Sequence, residues 1–173
     1  MFFLKRLEHT IQLHPSFFGA SMQEYLQKEL KTEVEGKCSG TIGYIVRVLV
    51  IHTIGEGIIL AGGDGKAEFN MEYTALVMKP FKGEVVDALV TNVNKMGFFA
   101  SVGPLSIFTS THLLPLEFKF QPDSNPPEFA APDGQSIVKG KKVRLRIVGT
   151  RVDESEIFAI GSCKEDYVGV VDG

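Results

Sequence analysis

Cysteine is scarce in this 173-residue chain, which has only Cys38 and Cys163, far apart and without C-x-x-C spacing. That excludes a disulfide framework and a zinc site of the usual spacing, and it fits a reducing compartment with both residues as small buried thiols. Long apolar runs are missing too: none approaches the ~18 residues of a membrane span. The opening stretch MFFLKRLEHTIQLHP puts Lys5, Arg6 and Glu8 where a signal peptide needs its apolar core, so no secretion and no membrane are expected. An excess of positive charge is also lacking. With 18 Lys and Arg against 21 Asp and Glu the formal net charge is -3, so any contact with a polyanion has to be local.

Catalytic constellations are absent as well. His9, His14, His52 and His112 stand apart, with neither H-x-x-x-H nor Cys/His spacing, so no metal site is expected. The loop around GGDGKAEF resembles a phosphate cradle only superficially: Leu60 takes the first glycine position of a P-loop and Ala67 the hydroxyl position. No G-x-S-x-G elbow occurs, and Asp153 and Glu154 fall in the polar turn TRVDESE, where solvated carboxylates are ordinary. The expectation is a binding protein without cofactor, not an enzyme.

What is present is a chain that changes character halfway. FFLKRLEHTIQL (2–13) suits an edge or half-buried strand ended by His14-Pro15. Met22, Tyr25, Leu26, Leu30 and Val34 recur at helical spacing, and Gly36 is placed to cap that helix. GYIVRVLVI (43–51) and AEFNMEYTALVMK read as strands, with a hairpin loop at Gly62 to Gly65 between them. Pro80 punctuates the chain, and beyond Phe81 only strands are predicted, near 83–95, 98–102, 105–109, 142–150 and 156–162. Five short strands suggest a small barrel or sandwich. The stretch holding Pro115, Pro122, Pro126, Pro127 and Pro132 is expected to be a surface excursion.

Side chains alternate between the two faces of a strand, so the doublet Phe98-Phe99 cannot put both rings in one core. Phe98, Ala100 and Val102 form the apolar set and Phe99 falls on the polar face; the same count leaves Phe108 outside on the next strand. In KKVRLRIVG, Val143, Leu145 and Ile147 point inward, which leaves Lys142, Arg144 and Arg146 as an outward basic stripe. Exposed rings beside cations suit single-stranded nucleic acid, because bases stack on the rings while the cations neutralise phosphate. The same pattern admits rings covered by other protein and a merely solvated basic face.

KGEVVDALVTNVNKMGFFASVG together with KGKKVRLRIVGTRVDESEIFAI resembles the S-one-type RNA-binding domain, built on the OB-fold, with Gly83 and Gly97 in matching places. With LHPSFFG, GYIVRVL, GDGKAEFNMEYTALVMKPFKGEVVDA, SNPPEF and AIGSCKEDYVG, nearly the whole chain resembles the family of the seventh-largest subunit of eukaryotic RNA polymerase II, fungal members above all. The archaeal RNA polymerase has a counterpart of that subunit. The resemblance implies an α+β protein: a truncated ribonucleoprotein-like α/β domain at 1–80, followed by an all-β OB barrel at 81–173. It implies a non-catalytic stalk subunit, nuclear, that docks on core polymerase near the clamp through Gly62, Gly63, Asp64 and Gly65. The helical fourth-largest subunit would be its heterodimer partner. Nascent single-stranded RNA would meet Phe99, Phe108, Lys142, Arg144 and Arg146. Met96 stands where S-one-type domains often have an aromatic residue, and Thr109 where they have histidine, so the implied RNA contact is light and sequence-tolerant. A pure assembly module without RNA contact is the alternative.

Overall fold

The structure is a computed structural model that describes residues 1–62, 64–165 and 168–171. The chain divides into two compact units, Met1–Lys79 and Pro80–Gly173.

The first unit is one helix on an antiparallel sheet. Its elements are β1 (Phe2–Leu13), α1 (Met22–Val34), β2 (Cys38–Ser39), β3 (Gly43–Ile54), β4 (Ile58–Ile59) and β5 (Ala67–Met78). The strands run in the order β1-β5-β3-β2, and β4 joins β5 beyond the end of β3. β5 is central because its sequence alternates cleanly: Ala67, Phe69, Met71, Tyr73, Ala75 and Val77 are all buried, while their neighbours face the other side. Leu26, Leu30 and Val34, one helical turn apart, close that core from α1, and Ile11 and Leu13 close it from β1. Burying each such side chain is worth about 1.5–3 kcal/mol, so this ridge is what fixes α1 to the sheet. Among the described residues β1 pairs with β5 alone, the edge position expected from its mixed pattern, and its apolar start at Phe2 and Leu4 stays exposed.

Gly36 ends the helix differently from a simple cap. It adopts φ +80, a conformation open to glycine, but its N–H donates to the Ile45 carbonyl on β3 rather than to a helix carbonyl. The residue thus turns the chain from the helix into the sheet. Cys38 is half-buried on β2 rather than fully inside, whereas Cys163 is buried.

The second unit is built on β6 (Val85–Asn94), β7 (Gly97–Val102), β8 (Leu105–Ser110), β9 (Lys119–Gln121), β10 (Glu128–Ala130), β11 (Ser136–Ile137), β12 (Lys142–Val152), β13 (Ile157–Ser162) and β14 (Gly169–Val170). β6, β7 and β8 form an antiparallel meander. β13 then pairs parallel to β8 and antiparallel to β12, and β12 pairs back to β6. The ring of five strands closes on itself, which removes the open edges a sheet would expose. Its interior is filled by one face of each strand, among them Val86, Ala88, Val90, Phe98, Ala100, Leu105, Ile107, Val143, Leu145, Ile147, Ile157 and Ala159.

The proline-rich excursion between β8 and β12 is more regular than expected. β9, β10 and β11 form a small sheet of their own, and Phe129 and Ile137 are buried in it. Phe120 and Phe129 pack with ring centroids 5.4 Å apart. The Asn125–Pro126 peptide is cis.

Candidate nucleic-acid interface

The outer face of the barrel is organised by the way β7 begins. Gly97 has φ +149, and a Cβ there would fall on the Thr109 carbonyl oxygen, so only glycine lets β7 lie this close to β8. From that start the alternation assigns Phe98 and Ala100 to the core and turns Phe99 outward, 39% exposed. On β8, Leu105, Ile107 and Thr109 point inward and Phe108 is outward and half-buried. Thr109 therefore cannot present its hydroxyl to the outer face, where Phe108 is the aromatic residue that β8 contributes. The register sets Phe99 directly opposite Phe108, and their rings meet with centroids 4.8 Å apart at an interplanar angle of 42°. That distance lies in the range of favourable aromatic pairs.

Two further strands extend the surface. Ile160 on β13 lies opposite Phe108, and Gly149 on β12 lies opposite Ile160, giving one row Phe99, Phe108, Ile160, Gly149. The next row is Ser101, Ser106, Phe158, Arg151. Phe158 and Ile160 are both exposed, and with Phe99, Phe108, Thr150 and Arg151 they line a groove of about 510 Å³. Gly149 has no side chain to fill it. Phe158, Ile160 and Arg151 are not among the residues expected from the sequence. A signal for two of them exists: Ile157 and Ala159 are the inward set of β13, so the alternation that exposes Phe99 exposes Phe158 and Ile160 as well.

The basic stripe is placed differently from the sequence expectation. Lys142 and Arg144 are exposed, Arg146 is half-buried, and all three lie on the first half of β12, which pairs with β6, outside the aromatic groove. Both arginines have a carboxylate partner, and Arg146 Nε is buried without a hydrogen-bond partner among the described residues. Arg144 donates through Nε to Asp87 Oδ1 at 2.8 Å and through Nη2 to Oδ2 at 3.2 Å. Arg146 Nη1 lies 2.8 Å from Glu165 Oε2. The hydrogen bond from Arg144 holds the Asp87 carboxyl below the usual carboxylate range, and Asp87 in return raises Arg144. Lys142 has no such partner among the described residues, and none of the three lines the groove of Phe99 and Phe108.

In the first unit, Gly62 and Asp64 are exposed and Gly65 is half-buried at φ +69, where a Cβ would press on Pro15 at 3.2 Å. Gly63 lies outside the described residues. The loop leaves the β4–β5 hairpin, whose Ile58 and Ile59 are 68% and 61% exposed, and Phe18 in the turn after β1 is exposed as well. A cleft of about 300 Å³ elsewhere in this unit is bridged by His9 Nε2 and Glu33 Oε2 at 2.7 Å. Among the described residues, no group of three or more His, Cys, Asp or Glu could hold a metal ion, and no helix is long and apolar enough to cross a membrane.

A closed OB-topology barrel with an aromatic outer face, preceded by a helix-on-sheet unit, places the chain among proteins built on an S-one-type barrel. Two family profiles agree with the two halves: the SHS2 domain found in the N terminus of Rpb7p/Rpc25p/MJ0397 matches residues 8–65, and the S1 RNA binding domain matches residues 79–160. The chain is 56% identical over 172 residues to DNA-directed RNA polymerase II subunit rpb7 of Schizosaccharomyces pombe, covering 98% of this chain and 99% of that one. It is 46% identical to subunit RPB7 of Saccharomyces cerevisiae over 99% of this chain and 100% of that one. It is 27% identical to DNA-directed RNA polymerase subunit Rpo7 of Sulfolobus acidocaldarius, over 99% and 94%. The chain belongs to the Rpb7 family of non-catalytic subunits of DNA-directed RNA polymerase II.

Proposed function

We propose that the chain serves as a stalk subunit of nuclear RNA polymerase II that contacts the nascent transcript through the outer face of its barrel. The observation that carries this is the opposed pair Phe99 and Phe108, 4.8 Å apart on the part of the chain that matches an RNA binding domain. Two rings held side by side on a rigid sheet offer stacking platforms that any base can use, worth about 1–3 kcal/mol per base. With Arg144 and Arg146 engaged by carboxylates, stacking rather than general charge dominates, which suits a light and sequence-tolerant grip.

The first unit would supply the attachment. The loop at Gly62 to Gly65 and the exposed Ile58 and Ile59 beside it would dock on the core enzyme near the clamp, glycine allowing close backbone approach and isoleucine adding apolar area. The fourth-largest subunit would complete a heterodimer; Leu4, Leu49 and Val50 leave apolar surface for such a partner. A pure assembly role is favoured by one observation, the ion pairs that occupy the barrel arginines.

Photocrosslinking from 4-thiouridine in the emerging transcript of an assembled polymerase tests the proposal. Adducts on peptides containing Phe99 or Phe108 are expected; adducts on other subunits only would favour the assembly role.

A further inference from the structure

The sequence pattern offers Lys142, Arg144 and Arg146 as the cationic partners of the aromatic face, but the register makes that set internally unequal. On β12, Lys142 lies opposite Leu89, Arg144 opposite Asp87 and Arg146 opposite Val85. On the other side of β6, Leu89 lies opposite Ser101 and Asn92 opposite Phe99. Each step from Lys142 to Arg146 therefore carries the side chain one pleat farther from Phe99.

The turn before β12 runs the other way. Val90 N–H donates to the Lys141 carbonyl at 2.8 Å, and Gly140 N–H donates to the Val90 carbonyl at 2.9 Å. These bonds and the Lys142–Leu89 pair lay Gly140, Lys141 and Lys142 beside Leu89 and Val90, whose partners on β7 are Ser101 and Ala100, two strand spacings or about 10 Å from the backbone of β7 at the residues that follow Phe99. Lys139, Gly140, Lys141 and Lys142 are all exposed. Among the described residues, none of the three lysine side chains makes a hydrogen bond or an ion pair, although Lys142 is near enough to help lower Asp87. The positions between the turn and Phe99 on the outer face are Leu89, Thr91, Asn92 and Ser101, none of them acidic. At the opposite end of the aromatic rows the turn after Arg151 carries Asp153, Glu154 and Glu156.

We infer that the backbone phosphates of a single strand stacked on Phe99 and Phe108 are neutralised by the Lys139, Lys141, Lys142 turn, and that Arg144 and Arg146 are structural ion-pair members with no phosphate to hold. The inference rests on the RNA contact proposed above and assigns the charge that accompanies it. The strand leaves the rings over β6, toward the lysines, and away from the carboxylates of the β12–β13 turn.

Binding of a labelled oligouridine to the full chain, measured over a series of salt concentrations, tests this. Replacing all three lysines with glutamine should make the slope of log K against log salt shallower by about 2, at about 0.7 per phosphate contact on a single strand, and weaken low-salt binding more than tenfold. Replacing them with arginine should restore the slope. Arg144→Gln with Arg146→Gln should leave it unchanged, and Phe99→Ala with Phe108→Ala should lower affinity at every salt concentration without changing it. If the arginine pair sets the slope and the lysines do not, the inference is overturned while the RNA contact stands. If the phenylalanine variant binds like the parent, the RNA contact itself fails and the inference with it. Cooperative denaturation curves that show every variant fully folded at the temperature of the binding assay establish that binding, not folding, has changed.

Discussion

Arg144 grips Asp87 across β12 and β6 with both carboxylate oxygens engaged, at 2.8 and 3.2 Å. The hydrogen bond holds Asp87 below the usual carboxylate range. A carboxyl whose folded value is depressed contributes stability that is fully present above its unfolded value and is lost as pH falls through the folded one. Arg144→Gln should move the Asp87 titration upward, read from its side-chain carboxyl carbon by NMR. The stability gap between parent and variant, present at neutral pH, should close as pH falls through the depressed Asp87 value. A gap that persists unchanged below it would mean that Arg144 acts through packing alone.

The Phe98-Phe99 doublet divides stability from binding. Phe98 is fully buried in the barrel, so Phe98→Ala should cost about 3–5 kcal/mol in chemical denaturation. Phe99→Ala removes an exposed ring and its partner contact with Phe108, a loss of about 0.5–1.5 kcal/mol. In RNA binding the order should reverse, with a folded Phe98→Leu protein binding like the parent and Phe99→Ala binding more weakly.

Alternation makes most of this face legible from sequence, because the two-residue period of a strand is a property of the backbone and survives any tertiary context. It places Phe98 inside, Phe99 and Phe108 outside, and the buried set Val143, Leu145, Ile147 against the outward Lys142, Arg144, Arg146. What it does not carry is pairing at a distance. That Ile160 lies opposite Phe108 depends on the parallel pairing of β13 with β8, between residues 52 apart in a stretch that includes the excursion. That Arg144 pairs with Asp87 depends on a contact between residues 57 apart. The strands β9, β10 and β11 are two or three residues long, too short for a period to show, so their proline-rich surroundings read only as loop.

Gly97 should be the least replaceable glycine of the barrel. Gly97→Ala brings its new Cβ onto the Thr109 carbonyl oxygen, a backbone atom that cannot rotate away, and strains φ +149 as well. A loss on the order of 3 kcal/mol or more is expected, with faster amide exchange across the β7–β8 pair. Gly140→Ala is the control: φ is +94 but none of the described residues lies within 4 Å of the added carbon, so only the backbone cost of about 1–2 kcal/mol should appear. Equal losses at the two positions would show that close strand approach at Gly97 is not what selects glycine.

The two cysteines should separate kinetically. Burial pushes the Cys163 thiol up to about 12, so the folded protein holds it neutral and shielded where Cys38, half-buried on β2, is partly accessible. At mildly alkaline pH a thiol reagent should label Cys38 first and reach Cys163 only at the rate of unfolding. Because the unfolded chain ionises Cys163 near the ordinary thiol value, stability from this group is intact below that value. It should fall as pH rises toward about 12, by at most about 1.4 kcal/mol per pH unit. Cys163→Ser, which removes the ionisation, should flatten that alkaline decline; an unchanged decline would assign it to other groups, and rapid labelling of both thiols in the native protein would show that Cys163 is reached without unfolding.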